Sequence, residues 1–334
     1  MNEEELAKRF EDAVWHCEHH NHDLNFVGKF ALSEEPRAQG WKVVLTGEGA
    51  DENFGGYPTY LPDFLREPDY AWPQTTLPDD TRKQACQAKD EETATFYNSI
   101  GADGNNRGDC TALRQLNGIT TCASMAAFSF TFWSPWTQCY GEHDPRLTIA
   151  HNANGRVRDA ITRRWHPLHA AQYMWTKGHL ANQFLSCLGD RTEMAHSLEA
   201  RTPFLDHHLT EYVNQLPPSV KVRYDPTDGS FIEKWILREA SKPFITKELY
   251  ERKKHAYSAP TSWPADGPLH QTMSRLMTKE NIEQLGFVDW SQVEGLVDRA
   301  FRDDDAKALR FTLIVAEWVV ISKRFGVKRA APPA

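Results

Sequence analysis

Lys42-Val-Val-Leu-Thr-Gly-Glu-Gly-Ala-Asp-Glu-Asn-Phe-Gly-Gly-Tyr57 is the stretch on which the fold turns. Its first five residues are a short apolar run with two β-branched valines that ends at once in glycine, which reads as a buried, parallel strand. Gly47 to Tyr57 then reads as a strand-to-helix turn followed by a short helix closed at Gly55-Gly56. Gly47 and Gly49 let the backbone turn sharply and let a ligand approach with no Cβ in the way. The first helical turn after them presents unpaired N–H groups and the positive end of the helix dipole, an arrangement suited to phosphate. Glu48, Asp51 and Glu52 place three carboxylates beside that anion site, which makes chemical sense when a divalent cation, usually magnesium, sits between them and the phosphate. A plain capped helix is the alternative, because acids in a first turn favour the dipole unaided.

Working outward, residues 3–14 carry Leu6, Phe10 and Val14 four apart, one apolar stripe on a helix. Residues 61–80 hold four prolines and read as an irregular connection, and residues 101–109 (GADGNNRGD) as a loop. From about residue 160 the pattern turns helical, over 170–188, over 206–216 up to Pro217-Pro218, and over 230–240, 266–277, 289–302 and 304–324. The fold class expected is therefore α/β: part of a parallel sheet within 1–60, followed over 61–330 by a mostly helical portion.

The chain of 334 residues sets 38 Lys+Arg against 46 Asp+Glu, a net charge of -8 that gives no general attraction to nucleic acid or to anionic lipid. Its 6 cysteines are scattered without a Cys-x-x-Cys, the pattern of reduced thiols. No apolar leader opens the chain, and the longest apolar run, 309–321, is interrupted by Glu317 and falls short of the roughly 20 residues a membrane span needs. A cytoplasmic protein with no membrane span is the expectation.

Further segments could carry chemistry. In Met194-Ala-His-Ser-Leu-Glu-Ala-Arg-Thr-Pro-Phe-Leu-Asp206, Pro203 extends the chain ahead of a helix, and Glu199 and Arg201 flank the break. They read as an ordinary structural ion pair or as groups that orient a carboxylate. Lys234 and the run Arg252-Lys-Lys-His255 could hold the negative charge that grows on a departing pyrophosphate, although basic residues at helix ends are commonly just solvated. His16, Cys17, His19, His20 and His22 are dense enough to raise a metal site, which a polar loop explains more simply. Alternating Phe128, Phe130 and Phe132 before Trp133 read as core rather than as a stacking platform. Residues 101–109 resemble a calcium loop only loosely.

LTGEGADENFGGY (45–57), MAHSLEARTPFLD (194–206), EKWILREA (233–240) and ERKKHAYSAP (251–260) together resemble the synthetase domain of the glutamine-dependent asparagine synthetase family. The resemblance implies an adenine-nucleotide-hydrolase-like, Rossmann-like sheet, with ATP and magnesium as cofactors. It also implies a reaction. An aspartate side-chain carboxylate attacks the α-phosphate of ATP, releasing pyrophosphate, and ammonia then displaces AMP from the acyl-adenylate to give asparagine. Carried over by motif, Glu48 and Lys254 are the catalytic residues, with Glu48 assisting deprotonation of the incoming amine. Gly47, Gly49, Asp51 and Lys234 bind the nucleotide, and Asp51 also holds magnesium. Lys254 and Lys234 neutralise pyrophosphate, as compact positive charges do, and Arg201 braces the site. Two family features are not in the sequence: the Ser-Gly-Gly-x-Asp-Ser phosphate loop, since Gly55-Gly56 is the one adjacent glycine pair, and the glutaminase domain with its N-terminal cysteine, since residue 2 is Asn. An N-terminally truncated synthetase domain is therefore expected, with a partner chain or a homo-oligomer supplying the loop and the glutaminase. A catalytically impaired partner of an intact synthetase, or a ligase for another carboxylate, are the alternatives. Asn53 stands where the family usually has an apolar residue, which suggests a less buried helix face.

Overall fold

The computed structural model describes residues 1–72, 77–103, 111–141, 145–252 and 259–333, with backbone alone at 111–112 and 122–123. The fold is mostly helical around a small parallel sheet. Helix α1 (Glu3–Cys17) starts at a capping box in which the Asn2 side chain accepts from the Glu5 N–H and the Glu5 carboxylate accepts from the Asn2 N–H. Its expected stripe is buried: Leu6, Phe10 and Val14 enter the main core with Phe26, Val27 and Phe30 of α2 (Asn25–Ala38). The opposite wall of that core comes from the far end of the chain, helix Pro268–Leu276 and the C-terminal helix Ala306–Phe325. The first forty residues thus fold against the last seventy.

Strand β1 (Val43–Leu45) is the expected parallel strand, and its partner is β2 (Glu199–Arg201), with Val43, Val44 and Leu45 opposite Glu199, Ala200 and Arg201. The sheet portion is therefore not confined to 1–60. Nor is β1 buried: Val43 is 39% and Leu45 74% exposed, because β2 covers one edge alone among the described residues. Strands β3 (Arg223–Asp225) and β4 (Ser230–Ile232) form an antiparallel hairpin.

Several sequence expectations need correction. A helix was expected over 230–240, but its first three residues pair as β4 and the helix spans Trp235–Ser241. The irregular connection over 61–80 contains α4 (Leu61–Arg66), because Pro62 falls in the first turn, where a missing N–H costs nothing. Helix α5 (Asp79–Ser99) escaped notice because it buries little beyond Arg82, Thr93 and Tyr97 and so has no apolar stripe to read. The single helix over 170–188 is an α-helix, Pro167–Trp175, running on into a π-helical stretch, Thr176–Arg191. The helix over 289–302 is broken at Gly295 into Trp290–Val293 and Leu296–Phe301. Phe130 and Phe132 pack on the main core and Phe128 on a smaller cluster with Tyr97, Ala102 and Ala127, as expected, and Phe128 also stacks on His22. Most of the 101–109 loop lies outside the described residues. Among the described residues no helix is long and apolar enough to cross a membrane.

The C-terminal helix buries one carboxyl, Glu317, completely. It accepts the Asn21 backbone N–H, and burial pushes its pKa well above the usual carboxylate range of 4.5. A group whose folded pKa is raised contributes stability fully below its unfolded pKa and loses that contribution as pH rises toward the folded value. Glu317→Gln, which cannot titrate, is therefore expected to match the parent near pH 4.5 and to gain on it steadily as pH rises from there. Thermal melts of both proteins across that range check it, and a difference independent of pH would contradict it.

Candidate functional site

The turn after β1 is built by contacts to the chain around β2. Thr46 donates its N–H to the Arg201 carbonyl at 2.9 Å, which continues the parallel ladder one residue past β1. Gly49 then takes φ +95°, and the short helix α3 (Ala50–Phe54) begins. A Cβ on Gly49 would lie 2.6 Å from Leu205 Cγ and 3.1 Å from the Phe204 carbonyl carbon, so glycine is required twice over. At Gly47, by contrast, a Cβ would meet nothing within 4 Å. The backbone of Gly47 faces open space, as a ligand-facing glycine should. Gly56, with its Cβ position 2.8 Å from Asp51 Cα, lets the chain fold back beneath Asp51.

The three carboxylates separate into different roles. Glu52 is buried, accepts the Gly49 N–H at 3.0 Å and the Tyr57 O–H at 2.6 Å, and so closes the turn from inside rather than facing a ligand. Burial raises its pKa, and the Tyr57 hydrogen bond opposes the rise. Asp51 Oδ1 sits 2.9 Å from Lys234 Nζ, both side chains about one-fifth exposed. Glu48 sits 3.5 Å from Lys29 Nζ, which also reaches Glu193 at 3.3 Å. The structure thus brings Gly47, Glu48, Gly49, Asp51 and Lys234 together. Lys234 reaches Asp51 from a left-handed backbone, φ +54°, at the start of helix Trp235–Ser241. Lys254 and its neighbours 253–258 lie outside the described residues. Arg252 is exposed beside Glu248 at 3.4 Å, and Arg201 pairs with Glu199 at 2.8 Å on the surface, the structural reading of that couple.

Lys29 and Glu193 were missed from sequence. Nothing marked α2 as a helix, since Pro36 and Gly28 interrupt it, and Glu193 stands one residue before the segment that drew attention. Asn53 also proves different from expectation. It is only 6% exposed, and its amide donates to the Phe204 carbonyl at 2.8 Å and to Thr210 Oγ1 at 3.3 Å. A polar residue is tolerated in that buried place because it ties α3 to the chain beyond β2. From the other side, Gln172 donates to the Glu52 and Asn53 carbonyls at 2.6 and 3.0 Å and accepts from Lys221 Nζ at 3.1 Å.

Lys221 is 1% exposed, and burial lowers its pKa to about 8 from 10.5. The folded state binds that proton less tightly, so stability should rise with pH through that window. Below it, the lowered pKa corresponds to about 3 kcal/mol of destabilisation. Lys221→Met removes this cost and loses one hydrogen bond to Gln172, worth about 1 kcal/mol. The variant is expected to be at least as stable as the parent at pH 7 and clearly less stable at pH 10.5. Urea melts at the two pH values check it, and an unchanged difference would refute it.

A magnesium ion would find one carboxylate here. Asp51, paired with Lys234 beside the uncovered backbone of Gly47, is the residue that would hold it. Among the described residues no group of three or more His, Cys, Asp and Glu is placed to hold an ion, at the histidine-rich stretch or at this turn. Cys17 is buried and donates to the Cys187 carbonyl at 3.5 Å, and His16 packs beside Phe30.

A sequence model of the family described as asparagine synthase matches residues 1–320. The chain belongs to the asparagine synthase family. Membership brings an adenine-nucleotide-hydrolase-like fold, and the β1–β2 pair with its glycine turn is the described part of that parallel sheet. Amidase chyE of Penicillium rubens is 47% identical over 330 residues, 99% of this chain and 49% of the relative. Amidase chry2 of Gibberella zeae is 45% identical over 331 residues, with the same coverage. Asparagine synthetase [glutamine-hydrolyzing] 1 of Bacillus subtilis is 22% identical over 332 residues, 97% of this chain and 48% of the relative. The chain spans about half the length of these curated relatives. Within the family it therefore stands nearer to proteins named amidases than to this enzyme named for asparagine.

Proposed function

We propose that the chain is the synthetase portion of an ATP-dependent amide-forming enzyme that activates a carboxylic acid other than aspartate for attack by ammonia. The observation that carries the reading is the turn itself, where Asp51–Lys234 and Glu48–Lys29 pairs flank a glycine backbone open to a ligand. The substrate assignment departs from aspartate because relatives matched over 99% of this chain at 47% and 45% identity are named amidases, whereas the Bacillus subtilis asparagine synthetase shares 22%.

In this mechanism Gly47 admits the triphosphate against the start of α3, Gly49 sets the turn that leaves Gly47 uncovered, and Asp51 would hold magnesium. The ion, when bound, neutralises charge on the phosphate oxygens and on the departing pyrophosphate. Lys234, now paired with Asp51, is placed to share that charge, and Lys254 is assigned the same task by motif alone. Glu48 accepts a proton from the attacking ammonia, and Lys29, itself held between Glu48 and Glu193, keeps the Glu48 carboxylate in place. The phosphate loop and the ammonia supply are assigned to residues outside this chain, in the same polypeptide or in a partner. The open edge of β1, with Trp41 62% exposed beside it, is where a further strand would pair.

Incubation with ATP, magnesium, ammonium and a panel of carboxylic acids, with AMP and amide read by mass spectrometry, tests the proposal. Amide formed from an acid other than aspartate is expected. Asparagine as the sole product would return the chain to ordinary asparagine synthesis.

A further inference from the structure

A cavity of about 450 Å³ lies between α4, α5 and the chain at residues 113–120, and no residue of the glycine turn lines it. The face of α5 turned to it carries Arg82, Lys83, Cys86 and Asp90, a set that recurs every three or four residues. Arg82 is spent on the fold. Its Nη1 donates to the Leu65 and Arg66 carbonyls, both at 2.7 Å, and its Nη2 to Asp79 at 3.1 Å. It thereby fixes the end of α4, which carries Arg66. Arg66 is not spent. Its Nη1 is buried with no hydrogen-bond partner, and the Asp63 carboxylate approaches only to 4.0 Å. Asp63 already accepts from the Thr120 N–H at 2.7 Å, the Thr121 N–H at 3.0 Å and the Thr121 O–H at 2.8 Å. Gly118 presents no side chain to the guanidinium, and a Cβ there would already touch Arg66 Nη2, at 3.6 Å.

That wall selects by chemistry. A half-buried guanidinium whose donors find no acceptor is costly to leave so, and an oxyanion relieves it. The Arg66 side chain is 29% exposed and so can be reached. The planar fork of an arginine matches the two oxygens of a carboxylate. Lys83, exposed, adds a second positive charge, whereas Asp90 in the same wall disfavours a ligand with further negative charge. Pro62, Leu65 and Leu113 make part of the wall apolar. In a volume within the roughly 300–1,000 Å³ of small-molecule sites, this mixture suits one carboxylate on a short apolar chain. We propose that the cavity binds a small organic acid, its carboxylate held by Arg66 and Lys83 and its chain resting on Pro62, Leu65 and Leu113. The proposal concerns binding and does not depend on the amide-forming reading.

Cys86 is a reporter built into the same wall. Its thiol donates to the Pro62 carbonyl at 3.4 Å. Burial pushes its pKa up, the charges of Asp63 and Asp90 push it further, and Arg66 and Arg82 pull it down. It therefore feels the same charges that a bound carboxylate would meet. A further carboxylate raises a neighbouring thiol pKa by on the order of one unit, and the thiolate is the form that reacts, so occupancy is expected to slow alkylation of Cys86 about ten-fold. Shielding by the ligand's chain acts in the same direction.

Alkylation of the chain with iodoacetamide at pH 8.5, followed by peptide mass spectrometry, tests it. Butyrate, 1-butanol and inorganic phosphate are compared at one ionic strength, with exposed Cys139 as the control. Butyrate is expected to slow labelling of Cys86 and to leave Cys139 unchanged, while butanol, which lacks the charge, and phosphate, which lacks the apolar chain, do much less. Arg66→Met is expected to abolish the protection. Lys83→Met, at an exposed position, is expected to weaken it with no change in melting temperature, and it keeps the test open should Arg66→Met fail to fold. Saturation-transfer NMR on butyrate, with the parent and the same variants, reads binding independently of the thiol. Equal protection by butanol or by phosphate, equal slowing at Cys139, or protection and transfer untouched by the variants would each overturn the proposal. So would the absence of both protection and transfer in the parent.

Discussion

Gly49→Ala is expected to destabilise the fold by about 3 kcal/mol and to abolish nucleotide-dependent activity with it. Two costs add. An L-residue held at φ +95° gives up about 1–2 kcal/mol. Forcing a methyl group against Leu205 Cγ, 2.6 Å from its ideal position, adds about 1–3 kcal/mol of overpacking. Leu205 cannot retreat freely, since the neighbouring Phe204 carbonyl is held by the Asn53 amide. Gly47→Ala is the matched control. Its Cβ meets no protein atom within 4 Å, so its melting temperature should stay within about a degree of the parent while its affinity for ATP falls. Urea melts together with ATP titrations separate the two glycines. Equal destabilisation by both substitutions would mean that the turn is a purely structural cap.

Glu48→Gln is expected to lower amide formation by about 10²–10⁴-fold, the range that a positioned general base contributes. The amide keeps the shape of the side chain and removes the proton acceptor. Stability should change by less than about 1 kcal/mol, because the Glu48 pair with Lys29 is partly exposed and Lys29 retains Glu193 at 3.3 Å. Activation of the acid by ATP needs no ammonia, so pyrophosphate exchange in the variant should fall less than about ten-fold. Parallel loss of exchange and amide formation would place Glu48 in the first half-reaction instead.

The sequence made the glycine turn legible because its chemistry is local. A glycine at positive φ, an N-terminal helical turn and acids within five residues of one another are set by neighbours along the chain, and Gly47, Gly49 and Asp51 could be singled out on that basis. What surrounds the turn is not local. Lys29 reaches Glu48 from α2, whose Pro36 and Gly28 hide it from a periodicity reading. Lys234 sits in the middle of a segment, 230–240, that reads as helix, yet it takes a left-handed backbone between β4 and the helix Trp235–Ser241. The partner of β1 comes from residues 199–201, and a three-residue strand leaves too little pattern for pairing to be inferred. Asn53 and Lys221 break the rule that buried positions are apolar, and each does so where it anchors α3 through hydrogen bonds to distant residues. The histidine-rich segment could be noticed in the sequence, but Phe128, the ring that stacks on His22, could not be assigned to it from spacing.

Magnesium-dependent exchange of labelled pyrophosphate into ATP, run with aspartate and with non-amino carboxylic acids and repeated with Asp51→Asn, tests the central claim most directly. Exchange stimulated by a carboxylic acid other than aspartate, and lost when Asp51 no longer offers a charged oxygen to magnesium beside Lys234, is the predicted result. Exchange stimulated by aspartate alone, or exchange that survives Asp51→Asn undiminished, would contradict it.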